Sequence, residues 1–327
     1  MKFYRYAMAA LSALALALVL ISLVHTNAGF IRVLDFVREP ALYGLAALAL
    51  LALLTLRKWR WLIAAGFVLA AGIELARVWP YVSIAKEEVV LERGQQADHC
   101  FSALALNVKM ENTEYGRVAD LIARRNPDLL LLMETNRTWM EALEPALSRY
   151  PFVISKPFDN TYGMVFASRI PVDSARMVAN TASNTPTLYA TLRPASGRSI
   201  EFVGLHPRPP LPGQSTDARD KNIARAGAIT PDGSSEVVVM GDFNDVPWSH
   251  TTRRFVREGH FLDPRIGRGS YPTFPASMPW LGWPLDQFFL KGKLSVAEFA
   301  VLDTVGSDHL PLEATVCLDQ NPVGTRR

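Results

Sequence analysis

Cysteine is nearly absent from this chain, with two in 327 residues, and the six histidines are scattered singly with no H-E-x-x-H run. Zinc centres are built from clustered Cys and His, so the common structural and peptidase-type zinc sites are disfavoured. Internal repeats and low-complexity tracts are also missing. The formal charge of +3 does not extend to the C-terminal two thirds, because residues 98–327 hold 24 Lys+Arg against 25 Asp+Glu. Nucleic-acid binders carry a basic footprint on the domain that binds, and this total shows none, though a total does not resolve a local patch.

What the first 84 residues lack is charge. Ala7 to Val24 is an uncharged run preceded by Lys2 and Arg5, and roughly 18 to 20 apolar residues suffice for a spanning helix. Similar runs cover Ala41 to Leu56, introduced by Pro40, and Trp61 to Tyr81, which contains Glu74 and Arg77. Three apart on a helix, those two are neighbours and are expected to pair. Trp59 and Trp61 at one end, and Trp79 and Tyr81 at the other, read as an aromatic belt. Three transmembrane helices are therefore expected at about 7–25, 41–56 and 61–81 within a membrane region 1–84. A cleaved signal peptide is the alternative for the first, although no clear A-x-A site follows His25. Lys2, Arg5, Arg57, Lys58 and Arg60 outnumber Arg32 and Arg38, which places the N-terminus in the cytoplasm and everything after residue 85 outside it.

Residues 85–98 read as a linker and 319–327 as a tail. Between them, Phe101–Val108, Leu129–Met133, Met164–Ala167, Leu188–Leu192, Ile200–Leu205, Val237–Met240 and Leu310–Leu318 read as strands. Glu114–Arg125, Thr138–Ser148 and Thr216–Ile229 read as helices. Continuously apolar strands among helices predict one layered α/β domain over 99–318.

Polar residues interrupt the apolar strands at their ends: Asn107 in "LALNV", Glu134 after "LLLLM", His206 after "FVGL", Asp242 and Asn244 in "VVVMGDFN". "GSDHLPL" places Asp308 and His309 at a strand start. Strand ends converge on one edge of a layered sheet. Oxygen ligands suit Mg²⁺, and amides or imidazoles can hold phosphoryl oxygens. Singly, each residue has a plain reading as a turn or cap. A two-metal, calcineurin-like phosphoesterase lacks its histidines and its G-N-H-E element here.

Taken together, "LNV", "LLLLMET", "GMVFASR", "GLHPRPP", "VVMGDFND", "PLDQFF" and "SDHLPL" resemble the endonuclease/exonuclease/phosphatase superfamily over residues 99 to 318. The resemblance implies a four-layered α/β sandwich, two packed mixed sheets flanked by helices, preceded here by the three transmembrane helices. It implies a Mg²⁺-dependent phosphoesterase, with Mn²⁺ or Ca²⁺ as substitutes, that hydrolyses phosphodiesters by attack of water. Glu134 would be the main metal ligand, with Asn107 and Asp308 completing or supporting the site. Asn244 would bind a phosphoryl oxygen, and Asp242 would orient the attacking water or a group bound to the metal. His309, paired with Asp286, would transfer protons, and His206 would donate to the phosphate.

Lys109 stands where apurinic-site enzymes carry an acidic residue, which suits a basic phosphate contact instead, and Gln287 stands where the family often has His. Arg219, with Asp220 on the predicted helix, either touches an anionic substrate or forms an exposed charge pair. The expected partners are a phosphate ester and the bilayer. Lipid head groups and nucleic acid remain the two substrate classes, and an inactive membrane-tethered scaffold is the rival to an enzyme. Cys100 lies seven residues before Asn107 and Cys317 eight after His309. If first and last strands pair antiparallel, the cysteines meet at the edge away from the site, as a disulfide or as two buried thiols.

Overall fold

In the computed structural model, residues 2–91, 99–182, 185–194, 197–210, 213–229 and 236–318 are described. Most of the expected linker (92–98) and the whole expected tail (319–327) lie outside them. The N-terminal part is helical: α1 (Lys2–Ser22), α2 (Gly29–Phe36), α3 (Arg38–Thr55) and α4 (Arg60–Val78). Three helices here, Lys2–Ser22, Arg38–Thr55 and Arg60–Tyr81, are long and apolar enough to cross a membrane. They pack on one another through Leu45, Ala49, Ala52, Ile63, Phe67 and Ala70. The Ser12 hydroxyl joins α1 to α4 by donating to the Ile63 carbonyl.

The expected partnership of Glu74 with Arg77 does not form. Glu74 instead binds Arg38 at 2.7 Å, and Arg38 also holds Asp35, which binds Arg32. The Arg38 guanidinium fork satisfies Glu74 on another helix and Asp35 at once, and so takes the place expected of Arg77. The short helix α2, which supplies Arg32 and Asp35, has no clear signal in the sequence because its eight residues mix charged and apolar positions.

The remainder is α/β. One sheet has the order β10–β11–β1–β2–β4–β3, with β1 (Cys100–Asn107), β2 (Leu129–Met133), β3 (Phe152–Lys156), β4 (Met164–Ser168), β10 (Leu294–Val301) and β11 (Leu312–Leu318). The other runs β5–β6–β7–β8–β9, with β5 (Val172–Ala179), β6 (Pro186–Leu192), β7 (Ile200–Leu205), β8 (Glu236–Asp242) and β9 (Asp286–Lys291). Each sheet contains one parallel pair, β1 with β2 and β7 with β8, and is otherwise antiparallel. The sheets stack on a core that includes Leu131, Met133, Phe166, Phe202, Met240 and Phe288.

Helices α5 (Tyr115–Arg125) and α6 (Arg137–Leu147) cover the outer face of the first sheet around Trp139. Helices α7 (Asp217–Ile229) and α8 (His250–Gly259) cover the second around Phe255. The result is a four-layered sandwich of two mixed sheets flanked by helices. β1 and β11 pair antiparallel with Cys100 opposite Cys317, and a disulfide joins the two. Strands β3, β5, β9 and β10 and helix α8 escape the sequence reading. β3 and β5 mix half-buried with exposed residues instead of forming apolar runs.

Candidate active site

The parallel pairs set the site. β1 and β2 end side by side with Asn107 opposite Met133, so Asn107 and Glu134 leave the first sheet at one edge. β7 and β8 do the same for His206 and Asp242. Antiparallel β9 and β11 begin where those strands end. Asp286 therefore opens β9 directly opposite Asp242, and Asp308 and His309 sit just before β11. Gly241 makes this close approach possible: it has φ of 141°, and a Cβ there would lie 2.0 Å from the Leu205 carbonyl oxygen. Glu134 and Asn244 hold left-handed backbone at φ of 61° and 50°. For residues with a side chain this conformation is uncommon and clusters at functional sites.

Asn107 ties the edges together. Its side-chain NH₂ donates to Glu134 Oε1 at 2.9 Å and to Asp242 Oδ2 at 3.1 Å, and its side-chain Oδ1 accepts from the Lys109 backbone N–H at 3.0 Å. In this arrangement the Asn107 side chain braces two carboxylates while its oxygen faces the Lys109 backbone N–H. The second Glu134 oxygen accepts from the Met110 backbone at 3.2 Å. At the mouth, half-exposed Lys109 Nζ lies 3.2 Å from Asp308 Oδ2.

Deeper in, His309 Nδ1 meets Asp286 Oδ2 at 2.8 Å, and its Nε2 lies 3.6 Å from Asp242 Oδ2. His206 Nε2 approaches the same Asp242 oxygen at 3.6 Å. The other Asp242 oxygen accepts from the Asn244 backbone at 2.8 Å. Burial opposes charge on His309, but Asp286 and Asp242, with the hydrogen bond to Asp286, outweigh it and hold the imidazolium up to about 10. Burial also raises the Asp242 carboxyl, against the pull of His309 and His206.

Asp242, Asp286 and His309 offer ligand atoms within 4.8 Å of one another, and Asp286 Oδ1 is buried without a partner. The carboxylate oxygens of this set are compatible with a divalent cation, whereas a protonated His309 ring offers it no lone pair. The two cysteines cannot contribute, since they are bonded to each other.

Arg219 is where the sequence reading fails on geometry. It is 2% exposed, and its guanidinium is spent on Asp220 (2.9 Å), Asp245 (3.3 Å) and the Asn244 carbonyl (2.9 Å). Neither a substrate contact nor an exposed charge pair, it pins the turn that carries Asn244. Burial pushes the Asp245 carboxyl up to about 6 even though Arg219 pulls it down. Asn244 itself donates to the Pro207 carbonyl at 3.1 Å, which joins its turn to the His206 loop.

Ser307 and Phe274 were missed. The Ser307 hydroxyl donates to the Asn107 carbonyl at 2.6 Å and accepts from the His309 backbone at 3.1 Å, locking the histidine loop to β1. The Ser-x-His spacing of "GSDH" was the available signal. Phe274 lies with its ring 4.9 Å from that of His309, a contact no local pattern announces.

Residues 104–309 match the Endonuclease/Exonuclease/phosphatase family. Among solved structures, the human Nocturnin catalytic domain with bound sulfate anion is 20% identical, with a TM-score of 0.53, over 71% of this chain and 98% of that one. An endonuclease/exonuclease/phosphatase from Beutenbergia cavernae is 18% identical, with a TM-score of 0.56, over 69% and 73%. D. rerio TDP2 complexed with single strand DNA product is 15% identical, with a TM-score of 0.55, over 66% and 98%. At these identities the likeness is one of fold. No curated protein sequence matches the chain.

Proposed function

Because this chain belongs to the endonuclease/exonuclease/phosphatase family, which includes metal-dependent phosphodiesterases and nucleases, we propose that it is a membrane-anchored, Mg²⁺-dependent phosphodiesterase. The observation that carries this reading is the buried His309–Asp286 pair, with Nε2 aimed at Asp242, beside an edge rich in carboxylates.

Charged up to about pH 10, His309 works at neutral pH as a proton donor. Its Nδ1–H is held by Asp286, leaving the Nε2–H for the oxygen that departs from phosphorus. Asp242, braced by Asn107 and the Asn244 backbone, orients the incoming water. His206 and the Asn244 amide lie where they can donate to phosphoryl oxygens as negative charge grows.

Two places could hold the cation. The inner trio already contains an imidazolium between its carboxylates, so the better seat is at the mouth, where Glu134 and Asp308 would hold the ion. When bound, it supplies Lewis acidity at the phosphoryl group.

The catalytic domain faces the extracytoplasmic side in this reading. Support comes from Lys2, Arg5, Arg57, Lys58 and Arg60, which gather at the ends of the spans away from the domain, while Arg32 and Arg38 on the domain side are buried in ion pairs.

The test is hydrolysis of bis-p-nitrophenyl phosphate by the full chain in detergent, with Mg²⁺, Mn²⁺, Ca²⁺ or EDTA, beside His309→Ala. Metal-dependent turnover lost in the variant is expected. Equal rates for the two proteins would overturn the enzyme reading and leave a tethered binding protein.

A further inference from the structure

The cleft has an apolar lip for which the chemistry just described has no use. Phe274 and Trp283 pair as an antiparallel bridge, and between them the chain runs out and back through Met278, Pro279, Trp280 and Leu281. Trp280 is 76% exposed, and Met278 and Leu281 are exposed beside it. The lip rises next to the catalytic residues, since the Ala276 N–H donates to the Asp308 carbonyl at 2.8 Å and the Leu310 N–H to the Thr273 carbonyl at 2.8 Å. A cluster of large apolar side chains held in the open marks a surface that meets something apolar.

A second, independent observation says what that is. Helix α2 is amphipathic the wrong way round for water: Arg32 and Asp35 are buried, while Phe30 (68%) and Val33 (54%) are exposed, with Val37 following them. Such a helix has no reason to turn its charges inward unless its outer face meets lipid. Phe36 of the same helix lies edge-on to Trp283 at 6.1 Å, and Leu42, early in α3, packs in the same cluster. Trp283 stacks on Phe274 at 6.1 Å, and Phe274 touches His309. Three ring contacts therefore lead from a helix at the start of a membrane span to the catalytic histidine, and the lip springs from the middle of that path.

We propose that the cleft opens at the bilayer surface, that Met278, Trp280 and Leu281 insert among the lipids, and that the substrates are phosphate esters in membrane-lipid head groups. This rests on the phosphodiesterase reading. The chemistry needs only water: its oxygen bonds to phosphorus as one P–O bond breaks, and a proton ends on the departing oxygen. The absence of a net basic charge over residues 98–327 suits a short head group better than a long polyanion.

The experiment uses the full chain in vesicles of phosphatidylcholine, phosphatidylethanolamine, phosphatidylglycerol and phosphatidylinositol, with bis-p-nitrophenyl phosphate as the soluble comparison. Hydrolysis of a vesicle lipid is expected, and the Trp280→Ala, Leu281→Ala double variant should lower that rate about tenfold while leaving the soluble ester unaffected. Cleavage of the soluble ester with no vesicle lipid attacked overturns the proposal, and so does an equal loss on both substrates. If the full chain cleaves neither substrate with any divalent cation, the phosphodiesterase reading fails first. Because both native cysteines are bonded, a fluorophore on Leu281→Cys reports depth directly. Quenching by doxyl-labelled lipids, but not of the same label on Val153→Cys, is expected, and equal quenching at the two positions also overturns the proposal.

Discussion

Among α2, α3 and α4, two arginines and two carboxylates are buried and matched one for one: Arg32 with Asp35, and Arg38 with Asp35 and Glu74. At the sheet edge, Asp242, Asp286, Glu134 and Asp308 face Lys109 and His309, four formal negative charges against two positive. The first cluster is closed, with each charge answered inside the chain. The second is left open by the charge of one divalent cation; unpartnered buried atoms do not distinguish the two, since Arg32 Nε lacks a partner in the first as Asp286 Oδ1 and His206 Nδ1 do in the second. Burying charge is costly in both places, so the difference separates a structural network from a site that expects a guest.

The largest test of that contrast is on rate. His309→Ala should lower phosphodiester hydrolysis by about 10²- to 10⁴-fold, the usual worth of a positioned proton donor, measured as kcat on a soluble diester.

Glu74→Ala should leave the chemistry nearly intact yet cost about 3–5 kcal/mol of stability, because it leaves two buried arginines to share the single carboxylate of Asp35. Thermal unfolding in detergent reads this, and a change below about 1 kcal/mol would break the claim that the network is closed.

The open cluster should respond to pH in the opposite sense to ordinary acid denaturation. The His309 pKa is raised in the folded state by Asp286 and Asp242, so its contribution is complete below about 6.5, where the unfolded histidine titrates, and is lost as pH rises through about 10. In EDTA, wild type should lose stability across that window by roughly 2–5 kcal/mol, and His309→Gln should flatten the slope.

Smallest is the effect of the cation itself. Mg²⁺ at ten times its dissociation constant should stabilise wild type by about 1.4 kcal/mol and Glu134→Gln by much less, measured as a shift in Tm.

The two regions were also unequally legible. "LLLLM" and "VVVM" identify central strands because parallel strands covered on both faces carry no polar alternation. A polar residue directly after such a run stands out, which is how Asn107, Glu134, His206 and Asp242 were found. In the helical region the three long apolar helices were legible by length and apolarity, but the partner of Glu74 was not. Arg38 is 36 positions away, and no local spacing encodes a contact between two helices. Arg219 shows the same limit, since its neighbours Asp245 and the Asn244 carbonyl lie on a loop about two dozen residues later. The apolar lip was invisible for another reason: exposure of Trp280 is a property of the folded surface, and in the chain it looks like any core tryptophan.

The seam between the two regions bears on how the molecule can be handled. Trp248 donates its indole N–H to the Asp35 carbonyl at 2.7 Å, and Val246, Trp248 and Leu285 are buried together with Val78 against Phe36, Leu42 and Tyr81. Val246 and Trp248 follow directly on the turn that carries Asn244. Severing the chain in the stretch between residues 91 and 99 would uncover this seam as an apolar scar a few residues from the loop that carries Asn244. The helical region is thus also a buttress, and a fragment trimmed of it would be the wrong material in which to judge what the intact protein can do.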